Sequence, residues 1–141
     1  MAKQKLMEKR IKSFDFQSGG EASSQLKNIL RKLGVDSQIV RQTAIITYEL
    51  EMNVVIHSEG GKIKAAISEK ELEIDVIDDG PGIPDLEKAF TPGFSTAGEE
   101  IREMGFGAGM GLVNVKRYAD DLEVQSSEEG THVNVIIKLD K

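Results

Sequence analysis

The stretch that decides the fold covers residues 74–112. It opens with Ile74-Asp75-Val76-Ile77-Asp78-Asp79-Gly80-Pro81-Gly82-Ile83 and closes with Gly105-Phe106-Gly107-Ala108-Gly109-Met110-Gly111-Leu112. Between the two glycine clusters lies the segment Phe90-Thr91-Pro92-Gly93-Phe94-Ser95-Thr96. The second cluster leads directly into a predicted helix, where backbone amides can face an anion without interference from side chains. The pattern indicates a nucleotide site.

Length and composition favour one cytoplasmic domain, residues 1–141. The apolar fraction of 39% is enough for a single core, and 18 basic against 24 acidic residues give a net charge of −6. Without basic runs and interleaved aromatics, we expect no nucleic-acid partner. The chain has no cysteine, which excludes disulfides, thiolate zinc sites and a cysteine nucleophile. No stretch approaches the roughly 18 apolar residues of a membrane span.

The N-terminal half is predicted to contain a strand and two helices. Residues 1–8 are expected to be a flexible polar start, followed by an edge strand in which Phe14 and Phe16 alternate with polar residues. A helix over 21–33 is capped by Gly34, and a longer helix over 38–57 begins after Asp36 or Ser37. Its apolar stripe, predicted to face a sheet, is Ile39, Thr43, Ile46, Leu50 and Val54. In the first helix the apolar positions are Leu26, Ile29, Leu30 and Leu33.

The rest of the chain is predicted to form strands around one more helix. Strands over 62–68 and 71–77 fit a hairpin, a helix continues to residue 120, and strands follow over 122–126 and 131–139. This order predicts an α+β fold with a mixed or antiparallel sheet.

Asp78, Gly80 and Gly82 carry the first motif. Asp, Gly and Pro favour turns, so a ligand-free turn is the simpler interpretation of this stretch taken alone. In the functional interpretation, a carboxylate fixed at a strand end accepts a hydrogen bond from the exocyclic amine of adenine, while the glycines let the base approach the backbone.

Gly105, Gly107, Gly109 and Gly111 carry the second motif. A dinucleotide fingerprint is excluded because that motif must follow the first strand of a βαβ unit. The alternatives are a flexible loop and a phosphate site, and we favour the phosphate site because four alternate glycines lower local stability. Arg102 is a candidate clamp for a γ-phosphate or a surface arginine.

Glu49 and Asn53 lie four residues apart on one face of the long predicted helix. Such polar residues are usually solvated. The functional alternative is that the Asn53 oxygen holds Mg²⁺ together with nucleotide phosphates, while the carboxylate takes a proton from an attacking hydroxyl or water. His57, one turn further on, is expected to be a helix-end residue that interacts with the helix dipole.

Together these elements resemble the GHKL family, which unites DNA gyrase, the ninety-kilodalton heat-shock protein, histidine kinases and MutL-type repair proteins. Glu49-x-x-x-Asn53 resembles its N box, Asp78-x-Gly80-x-Gly82 its first glycine box, Gly107-x-Gly109-x-Gly111 its second, and Gly130-Thr131 its last. The resemblance implies the two-layer α/β sandwich of the Bergerat ATP-binding fold, with a mixed, mostly antiparallel sheet.

Within the family, the chain looks most like bacterial anti-sigma factors and switch kinases. That resemblance implies ATP and Mg²⁺ as cofactors and a STAS-domain anti-anti-sigma protein as the substrate, phosphorylated on serine or threonine. A sigma factor is a second candidate partner. By the same resemblance Asn53 would hold Mg²⁺, Glu49 would be the base, Asp78 would read adenine, Thr131 would lie near Asp78, and residues 91–108 would form the ATP lid. Leu112, directly after the second box, is placed with the nucleotide-binding residues.

Several alternatives to the kinase remain. One is a non-catalytic module that binds a protein partner when ATP orders the lid. Another is an isolated histidine-kinase catalytic domain, and a third is an inert domain whose glycines serve as a hinge. A homodimer paired through the edge strand near Phe14 is also open.

Overall fold

The computed structural model describes residues 3–13, 15, 17–57, 60–80 and 111–139. Within these residues the chain forms five strands and three helices. In chain order they are β1 (Gln4–Ile11), α1 (Glu21–Lys32), α2 (Ser37–His57), β2 (Gly61–Ile67), β3 (Glu71–Asp78), α3 (Gly111–Tyr118), β4 (Asp121–Ser127) and β5 (Gly130–Lys138). This order confirms the predicted α+β arrangement.

The strands form one sheet in the order β1-β2-β3-β5-β4. All four pairings are antiparallel, so the mixed sheet that the sequence left open does not occur among the described strands. At the end of β3, Asp78 pairs with Gly61 of β2 and Ile77 pairs with His132 of β5. The tip of β3 is therefore held between two neighbouring strands.

The helices cover one face of the sheet, which gives the predicted two-layer sandwich. Side chains alternate across β3, so that Leu72, Ile74 and Val76 are buried while their neighbours are half-buried. In the helix layer, α2 packs against both α1 and α3. None of the helices in the described residues is long and apolar enough to cross a membrane.

Helix α2 forms as the sequence predicts. Asp36 caps its start, since Oδ2 of Asp36 accepts a 3.1 Å hydrogen bond from the backbone N–H of Gln38. The whole predicted apolar stripe is buried, with Ile46 fully inaccessible. Glu49 and Asn53 lie beside this stripe, three residues after Ile46 and Leu50 respectively, and both are half-buried.

Two predictions in the N-terminal part are wrong. Strand β1 spans Gln4–Ile11, so residues 4–8 are not a flexible start; a β-bulge between Lys5 and Met7 inserts an extra residue and breaks the alternation that marks a strand. Phe14 and Phe16, on which the predicted strand and its dimer rested, lie outside the described residues, although β1 is at the sheet edge as expected. Leu33 is 55% exposed, because α1 ends at Lys32 and Leu33 is its C-cap.

Candidate nucleotide-binding and catalytic site

Asp78 lies at the end of β3 with its carboxylate held by the backbone. Oδ1 accepts a 3.0 Å hydrogen bond from the backbone N–H of Thr131 at the start of β5, and the backbone N–H of Gly80 is a second donor. Burial raises the pKa of Asp78, Asp79 raises it further, and the two N–H donors oppose the rise. The expected proximity of Thr131 and Asp78 is confirmed.

Two glycines, Gly61 and Gly130, pack closely against the backbone at Asp78. A Cβ placed on Gly61 would lie 2.8 Å from the Cα of Asp78 and would collide with the carbonyl oxygen of Ile77. A Cβ on Gly130 would collide with the carbonyl oxygen of Asp78. Beyond the strand, the backbone N–H of Asp79 donates to the carbonyl oxygen of Gly60 at 2.9 Å. The backbone that carries the Asp78 carboxylate is therefore confined by both neighbouring strands, and the close approach of Gly61 to it was not predicted from the sequence.

Glu49 and Asn53 lie on α2, both half-buried. Burial raises the pKa of Glu49, as expected for a carboxylate taken partly out of water. A base whose pKa lies above that of an ordinary carboxylate is better matched to proton transfer near neutral pH. The side chains of Glu49 and Asn53 are thus less exposed than solvated surface residues would be.

On α3, the side-chain amide of Asn114 favours the charged form of Glu49 and so opposes the effect of burial on its pKa. No motif in the sequence pointed to Asn114. The available signal was a carboxamide three residues after Gly111, on a helix whose neighbouring positions Leu112 and Val115 are buried.

Glu51 lies two residues from Glu49 and therefore on the other side of α2. It is 2% exposed, and its two carboxylate oxygens accept hydrogen bonds from the backbone N–H groups of Ala22 at 3.1 Å and Ser23 at 3.3 Å. These are orphan donors at the start of α1, which an anion stabilises. Glu51 therefore anchors α1 to α2 and does not enter the nucleotide site.

These groups gather at one end of the sandwich. The last residues of α2 lead into Gly60, whose carbonyl oxygen binds Asp79, so Asn53 lies toward the end that carries Asp78. Helix α3 runs away from that end, because Asp120, which follows it, donates its backbone N–H to Ile136 near the far end of β5. The start of α3 at Gly111 therefore points to the same end as Asp78.

Other predicted site residues lie outside the described residues. They are Gly82, Gly105, Gly107, Gly109 and Arg102, together with the lid over 91–108. Leu112 is described and is 7% exposed. Because its side chain belongs to the core, its backbone N–H near the start of α3 is the group that can meet a phosphate.

The protein ligands at this site suit a metal ion that is held largely by the phosphates of the nucleotide. Among the described residues, no group of three or more His, Cys, Asp or Glu side chains could hold a metal. The Asn53 carboxamide oxygen is a hard ligand, and Mg²⁺ is commonly bound through one or two protein oxygens together with substrate phosphates and water. The residues present fit such an ion.

Residues 39–141 match the family described as Histidine kinase-, DNA gyrase B-, and HSP90-like ATPase. The chain belongs to this family, whose membership implies that the nucleotide is ATP. It is 34% identical over 121 residues to the serine/threonine-protein kinase RsbT of Bacillus subtilis, covering 82% of this chain and 85% of RsbT. It is 42% identical over 93 residues to an anti-sigma F factor of a Thermoanaerobacter species, where the match spans 62% of each protein.

Solved structures share the fold at low sequence identity. The RsbU and RsbW domains of a Mycobacterium tuberculosis protein superpose with a TM-score of 0.64 at 16% identity, over 95% of this chain and 33% of that one. The SiaB-SiaC complex of Pseudomonas aeruginosa gives a TM-score of 0.62 at 10% identity, over 95% and 91%. Both agree with the two-layer α/β fold of this chain.

Proposed function

We propose that the protein is an ATP-dependent protein serine/threonine kinase of the anti-sigma factor and switch-kinase type, acting in the cytoplasm on a STAS-domain anti-anti-sigma protein. The observation that carries the proposal is the half-buried Glu49 carboxylate, with its pKa raised by burial, one helical turn from Asn53. The similarity to RsbT supports the same activity, and the similarity to anti-sigma F factors supports a sigma factor as a second partner.

In the proposed reaction, the residues act on a substrate hydroxyl. Glu49 takes the proton as the hydroxyl oxygen of a serine or threonine attacks the γ-phosphorus of ATP, and the bond to the β,γ-bridging oxygen breaks to release ADP. Asn53 would hold Mg²⁺, which would supply positive charge beside the phosphates. Asp78 accepts a hydrogen bond from the adenine amine, and the backbone at the start of α3 meets the phosphates.

The test uses the STAS-domain proteins encoded in the same genome, incubated with the full chain, Mg²⁺ and ATP labelled at the γ-phosphate. We expect label on a serine or threonine of one of them, and loss of transfer with retained ATP binding in Glu49→Gln. Transfer at the parent rate by Glu49→Gln would show that Glu49 is not the base.

Two other outcomes contradict the kinase. A STAS-domain protein held in the presence of ATP, with no ADP formed, would indicate an ATP-gated binding module. Label that is lost in acid would indicate a phosphohistidine, and therefore a histidine-kinase catalytic domain.

A further inference from the structure

The two edges of the sheet are built differently. Among the described strands, β1 and β4 are the outer ones. Strand β1 has a β-bulge between Lys5 and Met7 and carries the cations Lys9 and Arg10, and both features hinder the pairing of another strand with an edge. Strand β4 pairs with β5 along its whole length without a shift in register, and it contains no lysine, arginine or proline. The β4 edge therefore lacks the protection that its own residues give to β1.

The core-facing side chains of β4 are also less covered than those of β1. On β1, Met7 and Ile11 are each 5% exposed. On β4, Leu122 and Val124 are only half-buried where they pack against the core, and the residues that alternate with them are exposed. A row of partly covered apolar side chains therefore runs along the helix-facing side of this edge.

The backbone at Leu122 and Val124 is directed away from β5. In an antiparallel pair, only alternate residues bond to the partner strand, and the residues between them direct their N–H and C=O groups to the other side. Ser127 pairs with Gly130 across a two-residue connection, and the residues that close such a turn bond to each other. Since Leu122 and Val124 are out of phase with Ser127, their N–H groups lie on the open side of β4.

The charge of this edge indicates what it can bind. Asp121 and Glu123 are exposed on the face of β4 away from the helices, and Glu128 and Glu129 are exposed in the turn that follows. Residues 120–129 include no basic side chain. A second copy of β4 would bring like charges together, which destabilises strand pairing. A strand with basic side chains on that face is favoured instead.

We propose that the outer edge of β4 binds an extended segment of a partner protein, in which basic residues alternate with apolar ones. The segment adds one strand to the sheet through hydrogen bonds to the backbone of Leu122 and Val124. Its apolar side chains lie beside those two residues, and its basic side chains lie beside Asp121 and Glu123. This interaction goes beyond the proposed kinase activity, and neither depends on the other.

The probe is a fluorescein-labelled peptide in which lysine alternates with valine and threonine. It is titrated with the full chain at low salt, and binding is followed by fluorescence anisotropy. A peptide of the same composition with its lysines grouped at one end is the control for charge alone. We expect the alternating peptide to bind about tenfold more tightly, because only this peptide matches both faces of β4. Equal affinities for the two peptides, or no binding of the alternating peptide, would overturn the proposal.

Val124→Pro tests the backbone contact. Proline removes an N–H group from the open side of an edge strand and leaves the bonds to β5 in place, so affinity for the alternating peptide should fall by about tenfold. Val124→Ala is the matched control, since it loses side-chain contact but keeps the N–H group, and its affinity should fall by less than about threefold. Parent affinity in Val124→Pro would overturn the proposal, as would a dimer of the parent, measured by sedimentation, that Val124→Pro abolishes.

Glu123→Lys tests the charge at an exposed position that the strand does not need for packing. Affinity for the alternating peptide should fall by about tenfold, because the variant replaces an attraction by a repulsion. Glu69→Lys makes the same change at an exposed position between β2 and β3 and should leave the affinity within about twofold of the parent. An equal effect of the two substitutions would show that the peptide responds to net charge, which overturns a specific site at β4.

Discussion

The backbone N–H of Thr131 donates a 3.0 Å hydrogen bond to Oδ1 of Asp78, which lies 53 residues earlier in the chain. The bond uses one oxygen of the carboxylate to fix its direction at the end of β3. A carboxylate held in this way presents a constant acceptor to a ligand, and the exocyclic amine of adenine is the donor that the proposed function assigns to it.

Asp78→Asn should abolish recognition of adenine while leaving the fold intact. The new side chain can still accept from Thr131 through its oxygen, but its NH₂ group then meets the adenine amine, so two donors face each other. In thermal unfolding with Mg²⁺, ATP and ADP should raise the Tm of the parent and GTP should not, and the variant should lose the rise.

Asp79→Asn is the matched control, since it makes the same chemical change one residue beyond the strand. It should keep the rise in Tm with ATP. A rise of equal size in Asp78→Asn would contradict the assignment of Asp78.

Gly61→Ala should weaken nucleotide binding without touching the ligand. The added methyl group collides with the carbonyl oxygen of Ile77 and lies 2.8 Å from the Cα of Asp78, so the end of β3 must move. We expect a loss of about 1–3 kcal/mol in the free energy of unfolding, together with weaker ATP binding measured by calorimetry. Lys62→Ala, at the next position of β2, is the control. An ATP affinity equal to that of the parent would show that β3 yields without displacing Asp78.

The sequence predicted the elements whose signals are local. The buried stripe of α2, its Asp36 cap and the hairpin of β2 and β3 follow from helical or alternating periodicity, and these features are confirmed. Strand β1 was misplaced because its bulge disrupts that periodicity. The roles of Gly61 and Glu51 depend on contacts between elements that are distant in the chain. A periodic sequence pattern does not show which residues a neighbouring helix or strand brings close.

Glu51→Ala should be among the most destabilising single changes in α2. It leaves the N–H groups of Ala22 and Ser23 at the start of α1 without their acceptor in a buried site, and it opens a small cavity. We expect a loss of about 3 kcal/mol in urea unfolding at neutral pH. Glu21→Ala, which removes an exposed carboxylate bonded to Lys9 at 3.2 Å, should cost less than about 1 kcal/mol. Equal losses would contradict the anchoring role.

The stability difference between the parent and Glu51→Ala should depend on pH. Burial raises the pKa of Glu51 above the ordinary value of 4.5, while the N–H groups of α1 and Lys9 oppose the rise. A carboxyl group with a raised folded-state pKa binds more protons in the folded state than in the unfolded state. Its contribution to the free energy of unfolding is therefore fully present below pH 4.5 and is lost as the pH rises through the folded-state pKa. The difference in the free energy of unfolding between the parent and Glu51→Ala should therefore increase as the pH is lowered from neutral toward 4.5. A deficit that narrows over this range would contradict the direction of the shift.

Thr43→Val should stabilise the protein. Thr43 is 1% exposed, and its hydroxyl has no hydrogen-bond partner among the described residues. Replacement by a side chain of the same shape removes an unsatisfied polar group, for a gain of about 1 kcal/mol in the free energy of unfolding. Thr47→Val is the matched control one turn further along α2, because its hydroxyl donates to the carbonyl oxygen of Thr43. Thr47→Val should lower the free energy of unfolding by about 1 kcal/mol. The two variants are therefore expected to move the midpoint of urea unfolding in opposite directions. A loss of stability in Thr43→Val would show that the Thr43 hydroxyl has a hydrogen-bond partner in solution.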